Sequence, residues 1–243
     1  MIAPGRATEL ASLSAPAGKT RPRWKPAEGS RRRHIFEKAL ALMQRNGFHG
    51  TSIQDVADEL KFTKAAFYFH VESKEQMLYE ISLQTLNLML ERMTAISQST
   101  ESPEQKIRDI IDCYVKLMVD QPALFIVYFR EKGFLSKKHR SRVNQLERNI
   151  LRILEKIYEE GVRRHQFTDI DPAVAILGIL GMCFWVYNWY QKRGRLSASE
   201  ISKSFQALAL SGVLTRTARH SEASLREREK LSSRKRKRRA PRV

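Results

Sequence analysis

Apolar positions recur at intervals of three and four along most of the chain, the spacing of amphipathic helices, and no run alternates with period two. Ile35, Phe36, Ala39, Leu40 and Met43 form one stripe. It stops before Asn46-Gly47, a helix-ending pair. Thr51 and Ser52 are cap candidates for a second stripe of Ile53, Val56, Ala57 and Leu60. A third short helix is expected from Thr63 to His70. A long fourth helix starts near Ser73-Lys74 and continues through Met77, Leu78, Ile81, Leu86 and Leu90. After the polar stretch 97–102, Pro103 opens a helix with Ile107, Ile110, Ile111, Tyr114, Leu117 and Met118. Pro122 starts an aromatic segment with Phe125, Tyr128 and Phe129, and Val143 to Gly161 keeps helical spacing over about five turns. Two last helices are expected over 172–190 and 197–214, the second opened by the capping-box spacing Ser197-x-x-Glu200. The pattern therefore predicts an all-α fold of about nine helices.

The segment 172–190 carries no charged side chain, and its length of about 19 residues just suffices to cross a bilayer. It opens on Asp171-Pro172, a helix start, and contains Asn188, Gly178 and Gly181. A helix buried on two sides of a soluble protein explains these features better, and no membrane partner is expected.

With 243 residues, 42% apolar and 29% charged, the chain has room for one or two compact domains with a real core. Its net charge of +18 is unevenly placed: residues 1–34 hold eight Lys/Arg against two acids, residues 216–243 twelve against three, and the body keeps only +3. The expected organisation is a disordered basic arm over 1–28, a DNA-binding unit over 29–89, a larger helical unit over 90–215 and a disordered basic tail over 216–243. The arm has Pro4, Pro16, Pro22 and Pro26 and no apolar core of a secretory signal. The tail run from Arg234 to Arg239 has the composition of a nuclear-localisation signal, and is read here as a polyanion-binding tail.

Cys113 and Cys183 lie far apart in apolar sequence without a CxxC pair, which predicts two buried reduced thiols and no metal site or cofactor. The six histidines, at 34, 49, 70, 139, 165 and 220, are scattered, and GxSxG, P-loop and GxGxxG motifs are missing. Glu159-Glu160 suits a solvated helix face. No catalytic role is expected. Two rivals fall away: a eukaryotic basic-region protein would need heptads beside its basic run, and an enzyme for an anionic substrate would need reacting groups.

The region from Arg31 to Leu78 carries the functional signal. Its second and third helices are separated by a turn of about two residues, so the second can brace the third in a major groove about 12 Å wide. Ile53, Val56, Ala57, Leu60, Phe62 and Phe67 are the expected core, with Lys64, Ala65, Ala66, Tyr68 and Phe69 outward. Two exposed aromatics on so short a helix call for a partner.

The runs Ile35-Phe36-Glu37-Lys38-Ala39-Leu40, Asn46-Gly47-Phe48, Thr51-Ser52-Ile53-Gln54-Asp55-Val56-Ala57, Thr63 to His70 and Ser73-Lys74-Glu75 together resemble the TetR family of bacterial transcriptional regulators. The resemblance implies a homodimeric, cytoplasmic, nucleoid-associated repressor. Its N-terminal helix-turn-helix, at about 52–71, would bind a double-stranded operator, and its larger helical domain would bind a small-molecule effector. Carried over by position, Thr51, Ser52, Tyr68 and Lys74 match backbone-contacting residues, and Lys64, Ala65, Ala66 and Phe69 are the candidates to face bases. Thr63 and His70 complete the expected DNA-binding set. Four positions depart from the family pattern: Lys61 stands where a turn glycine is usual, Ala65-Ala66 where Gly-Thr is common, and Val71 where Phe is common. A left-handed turn would strain Lys61 by roughly 1 kcal/mol against Gly.

Farther on, Trp189-Tyr190, Gly194-Arg195-Leu196-Ser197 and Glu200-Ile201 look like a subgroup that responds to acyl-CoA thioesters. An effector of that kind, or a different hydrophobic small molecule, would occupy a cavity with Tyr114, Met118, Phe125, Phe129, Phe184 and Trp185 as expected lining. Arg130, Lys137 and Lys138 are candidates for the coenzyme A phosphates. Dimerisation is expected through 172–190 and 198–214, and the long fourth helix is expected to carry the effector signal to the DNA.

Overall fold

The computed structural model describes residues 31–213, apart from the side chains of Lys64, Ala66 and Val213. The basic arm and tail, and the charge they carry, lie outside the described residues. Helices account for most of the described residues, with no β-strand among them.

Three short helices come first: α1 (Arg31–Asn46), α2 (Ile53–Glu59) and α3 (Lys64–Tyr68). Ser52 caps α2 reciprocally, since Asp55 N–H donates to its Oγ at 3.1 Å while its own N–H donates to the Asp55 carboxylate at 2.7 Å. These bonds, that from the Ser52 backbone foremost, hold the Asp55 carboxyl below its ordinary range. At the other end Phe62 N–H returns to the Ala57 carbonyl at 2.9 Å, which requires left-handed backbone between them. Lys61 takes that conformation, at φ 55°. The turn is left-handed, the condition under which Lys61 was expected to be strained, and it is made without glycine.

Ser73 caps α4 (Lys74–Gln98), and Ser102 with Pro103 opens α5 (Pro103–Asp120). Then follow α6 (Pro122–Glu131), a 3-10 turn (Lys132–Phe134) and α7 (Lys137–Arg163). The chain closes with α8 (Pro172–Phe184), α9 (Val186–Trp189) and α10 (Ala198–Val213). The single helix expected over 172–190 is interrupted at Trp185. There Asn188 N–H bonds three residues back to the Trp185 carbonyl, at 3.1 Å, and the last turn tightens into a separate short helix. The third helix is also shorter than expected, ending at Tyr68.

Ile35, Phe36, Ala39, Met43, Val56, Ala57 and Phe67 close the core of the first three helices, while Ile53, Leu60 and Phe62 sit half-buried at its edge. The first turns of α4 add Met77, Leu78 and Ile81, and its second half turns Leu86, Met89 and Met93 toward the rest of the molecule. There α4 packs against α6 and α7, α5 against α8 and α10, and α7 against α8. Gly161 on α7 lets the chain fold back closely, because a Cβ there would stand 2.1 Å from the Phe167 ring. Both cysteines are free, and burial pushes the thiol of Cys113 up to about 11 and that of Cys183 to about 12, so neither is a ready nucleophile.

Relief of the left-handed strain makes one outcome definite. Lys61→Gly should stabilise the fold by up to about 1 kcal/mol, read as a higher midpoint in urea unfolding with an unchanged slope.

Candidate DNA-binding face and effector cavity

α3 is anchored by Phe67, which is fully buried, and this orients Tyr68 and Phe69 outward. Phe69 is 86% exposed and Tyr68 46%, the pair of solvent-facing aromatics that the sequence singled out. Ser52, Thr63 and Ala65 are exposed beside them, and His70 is half-buried with its ring edge-on to Phe69 at 5.2 Å. Lys64 and Ala66 lie on the same helix.

Two residues expected at the phosphates are engaged elsewhere. Thr51 is only 1% exposed, and its hydroxyl donates inward to the Gly47 carbonyl at 2.9 Å. It fastens the α1–α2 loop. Lys74 is half-buried, and its ammonium donates to the Phe48 carbonyl at 2.8 Å while lying 4.4 Å over the Phe48 ring. A cation held by a carbonyl and a π face is a structural tie for that same loop.

A cavity of about 500 Å³ opens among α4, α5, α6, α7 and α8. Leu86, Met89, Ile150, Leu151, Leu180 and Phe184 form most of its apolar wall. Of the expected lining residues, Tyr114, Phe129 and Phe184 are there. Met118 and Phe125 are buried core residues away from the cavity, and Trp185 is 63% exposed on the outer surface. Trp185 faces out because it continues the exposed face of α8 that carries Val174, Gly178 and Gly181.

One end of the cavity is polar, which hydrophobic spacing alone did not indicate. There Tyr128 donates its hydroxyl to Glu147 Oε1, and Lys132 reaches the same oxygen at 2.5 Å. Burial first, and the neighbouring carboxylate second, pushes the Tyr128 hydroxyl far up, so it remains a donor. A second, smaller space of about 240 Å³ adjoins this end, lined by Lys137, Arg140, Ser141, Asn144 and Arg148. Asn144 and Arg148 belong to both. Lys137 is thus placed at a cationic groove as anticipated, while Arg130 and Lys138 are exposed and line neither space.

The turn after α6 meets the DNA-binding unit directly. Phe134 stacks on Phe48 with centroids 5.4 Å apart and meets His49 edge-on at 4.3 Å. At the start of α7, His139 Nδ1 lies 2.8 Å from Glu75 Oε1, its ring stacks on Tyr79 at 3.8 Å, and Ser136 N–H donates to the same carboxylate at 3.0 Å. Burial raises the Glu75 carboxyl, yet the Ser136 and His139 interactions outweigh it and leave it below the ordinary value. Helix α4 is therefore not the sole connection between the two parts.

On the outer surface, Val174 of α8, Trp185 at its end and Leu208 of α10 are more than half exposed, as is Leu177 at the edge of the cavity. Gly178 and Gly181 lie open between them, with nothing within 4 Å of a Cβ built on either.

Residues 35–81 match the model of bacterial regulatory proteins of the tetR family, and residues 100–213 match the tetracyclin repressor-like C-terminal domain. The HTH-type transcriptional repressor KstR2 of Mycobacterium tuberculosis is 25% identical over 189 residues, covering 76% of this chain and 93% of its own length. The crystal structure of AibR in complex with isovaleryl coenzyme A and operator DNA aligns at a TM-score of 0.69 with 26% identity, covering 74% of this chain and 97% of that one. A transcriptional regulator of the TetR/AcrR family from Thermobifida fusca YX-ER1 is 32% identical at a TM-score of 0.61, covering 75% of this chain and 97% of that one. Its helix-turn-helix and its helical C-terminal region both fit that family, and the chain belongs to the TetR family of transcriptional regulators.

Proposed function

We propose that this TetR-family regulator is a homodimeric repressor, released from its operator by an acyl-CoA thioester. The observation that carries the effector class is a pair of neighbouring spaces that share Asn144 and Arg148 in their walls: an apolar cavity of about 500 Å³ and a groove lined by three cations. That shape suits a molecule with a greasy tail and a polyanionic head. The tail leaves water for apolar walls at about 25 cal/mol per Å², and Lys137, Arg140 and Arg148 meet the phosphates. A free fatty acid would fill the first space and leave the second empty. The likeness to AibR, whose structure holds isovaleryl coenzyme A, supports the same class.

Operator contact falls to the surface around α3: Tyr68, Phe69, Ser52, Thr63, Lys64, Ala65, Ala66 and His70, with Thr51 and Lys74 holding the loop beneath. The division of labour runs from a DNA-binding unit over 29–89 to an effector and dimerisation unit over 90–215. The apolar outer face of α8 and α10 meets a second copy of this chain, and not lipid. The protein then works in the bacterial cytoplasm at the nucleoid, where the basic arm and tail add nonspecific affinity for DNA.

Tyr68→Ala should lower affinity for an operator selected in vitro by about tenfold or more at fixed salt, with the same loss across operator variants, as expected of a lost phosphate bond. Equal binding by variant and parent would remove Tyr68 from the interface.

The dimer is tested at the exposed apolar positions. Val174→Glu combined with Leu208→Glu should shift the protein to a monomer in sedimentation velocity at micromolar concentration while its helical content stays the same, because two like charges would be buried against their symmetry mates.

For the effector, thermal shift and operator release with acyl-CoAs of graded chain length, beside the matching free acids, give the decisive contrast. The thioesters should raise the melting temperature and release DNA, and the free acids should do neither at equal concentration. Release by an uncharged hydrophobic ligand alone would overturn the thioester class.

A further inference from the structure

The stretch from Lys132 to Arg140 faces the effector cavity on one side and the DNA-binding unit on the other. Lys132 is bonded to Glu147 in the cavity wall. Two residues on, the Phe134 ring sits against Phe48 and His49. Phe134 is 44% exposed, so surrounding core does not fix it, and its ring stays in place only if its backbone is held. Arg140 does the holding. Its guanidinium donates to the carbonyl of Leu135 at 3.0 Å and to that of Gly133, the two residues that flank Phe134. The same guanidinium lines the cationic groove with Lys137 and Arg148.

We infer that Arg140 is an anion sensor that brackets Phe134 against the α1–α2 loop when the groove is empty and lets it go when a phosphate-bearing head enters. The inference rests on the coenzyme A reading of the cavity. The direction of the exchange follows from charge. Arg140 now donates to two neutral carbonyls, whereas a phosphate offers the guanidinium a full opposite charge and two-pronged bonds. Once the guanidinium turns to the phosphate, residues 133–135 lose their bracket and Phe134 its fixed place on Phe48. Ser136 and His139 remain bonded to Glu75, so the change begins in the turn and the loop it supports. Lys74, bound to the Phe48 carbonyl, passes the loosening to the first turn of α4. The tail supplies affinity in this scheme, and the head supplies the signal.

The test has a ligand-free arm and a ligand arm, both using the full chain and an operator selected in vitro. Without ligand, Phe134→Ala and Arg140→Gln should each weaken operator binding by about five- to tenfold, at the lower end of usual coupling factors. The double variant should be no weaker than the weaker single one, because both changes undo one bracket. Arg140→Lys, which keeps the charge but ends one bond short of the Nη2 that makes both contacts, should behave like Arg140→Gln. Additive losses, or full operator affinity in Arg140→Lys, would overturn the bracket. Circular-dichroism melts identify any variant that fails to fold, and Phe134→Leu then replaces Phe134→Ala.

In the second arm, the acyl-CoA that most strongly stabilises the parent is added to saturation. Phe134→Ala should bind it as the parent does, yet its operator affinity should fall less than twofold further. A full parental response in Phe134→Ala would refute the sensor. If no coenzyme A thioester binds the parent, the effector reading and the sensor role both fail, while the ligand-free cycle still decides separately whether Arg140 holds Phe134.

Discussion

Helix α4 has to satisfy two cores with one rigid rod, and the rest of the molecule is arranged around that constraint. Its 25 residues span about 37 Å at the usual rise of 1.5 Å per residue. Met77, Leu78 and Ile81 complete the small core under α3, while Leu86 and Met89 are wall residues of the effector cavity. A displacement of the cavity wall is therefore a displacement of the base on which α3 sits. The helix interior contains no glycine or proline at which a bend could absorb the movement.

A rod alone would leave the short α1–α2 loop free to drift, and α3 with it. Several interactions prevent this, and they explain why Thr51 and Lys74 turn inward. Thr51 ties its hydroxyl to Gly47, Lys74 ties its ammonium to Phe48, and a Cβ at Gly47 would stand 3.5 Å from a Glu131 carboxylate oxygen of α6. The loop thus touches its own unit, the start of α4 and the end of α6. Phe134 covers the same loop from the 3-10 turn. DNA contact through α3 depends on a loop whose position is decided by three separate parts of the chain.

How much of this was legible in the sequence depends on how far each signal reaches. The helix-turn-helix was readable because its determinants are local: Ser52 and Asp55 three residues apart, an apolar stripe, and Phe67 framed by exposed neighbours. The position of Lys61, where the family resemblance has a turn glycine, raised a left-handed turn as a condition, and the structure meets it. Dissent arose where a residue's role depends on partners distant in sequence. Lys74 sits where a surface ammonium was expected, but its acceptor, Phe48, belongs to a loop that only the folded chain brings near. Thr51 differs, since its acceptor Gly47 is only four residues back. Trp185 shares the apolar run of α8, so hydropathy placed it inside, but it continues the exposed face that carries Val174. The polar end of the cavity was hidden for the opposite reason. Asn144, Glu147, Arg148 and Leu151 follow helical spacing beside the apolar stripe of α7, a pattern that in sequence is indistinguishable from a solvated flank.

The energies involved explain why so modest a set of contacts suffices for regulation. An aromatic pair contributes about 0.5–1.5 kcal/mol beyond its buried area. A partly exposed hydrogen bond such as that between His139 and Glu75 contributes roughly 0.5–1.5 kcal/mol. Each is trivial beside the free energy of burying the whole core, but regulation needs only a difference between two states. Coupling between sites is typically 1–3 kcal/mol, and every 1.4 kcal/mol is tenfold in operator affinity. Two or three surface contacts between the 3-10 turn and the α1–α2 loop therefore carry enough free energy to matter and too little to lock the protein in one state. A fully buried junction between the two parts would resist an effector whose differential affinity is only a few kcal/mol. The half-exposed position of Phe134 is, on this reasoning, what keeps the DNA-binding unit responsive to the cavity.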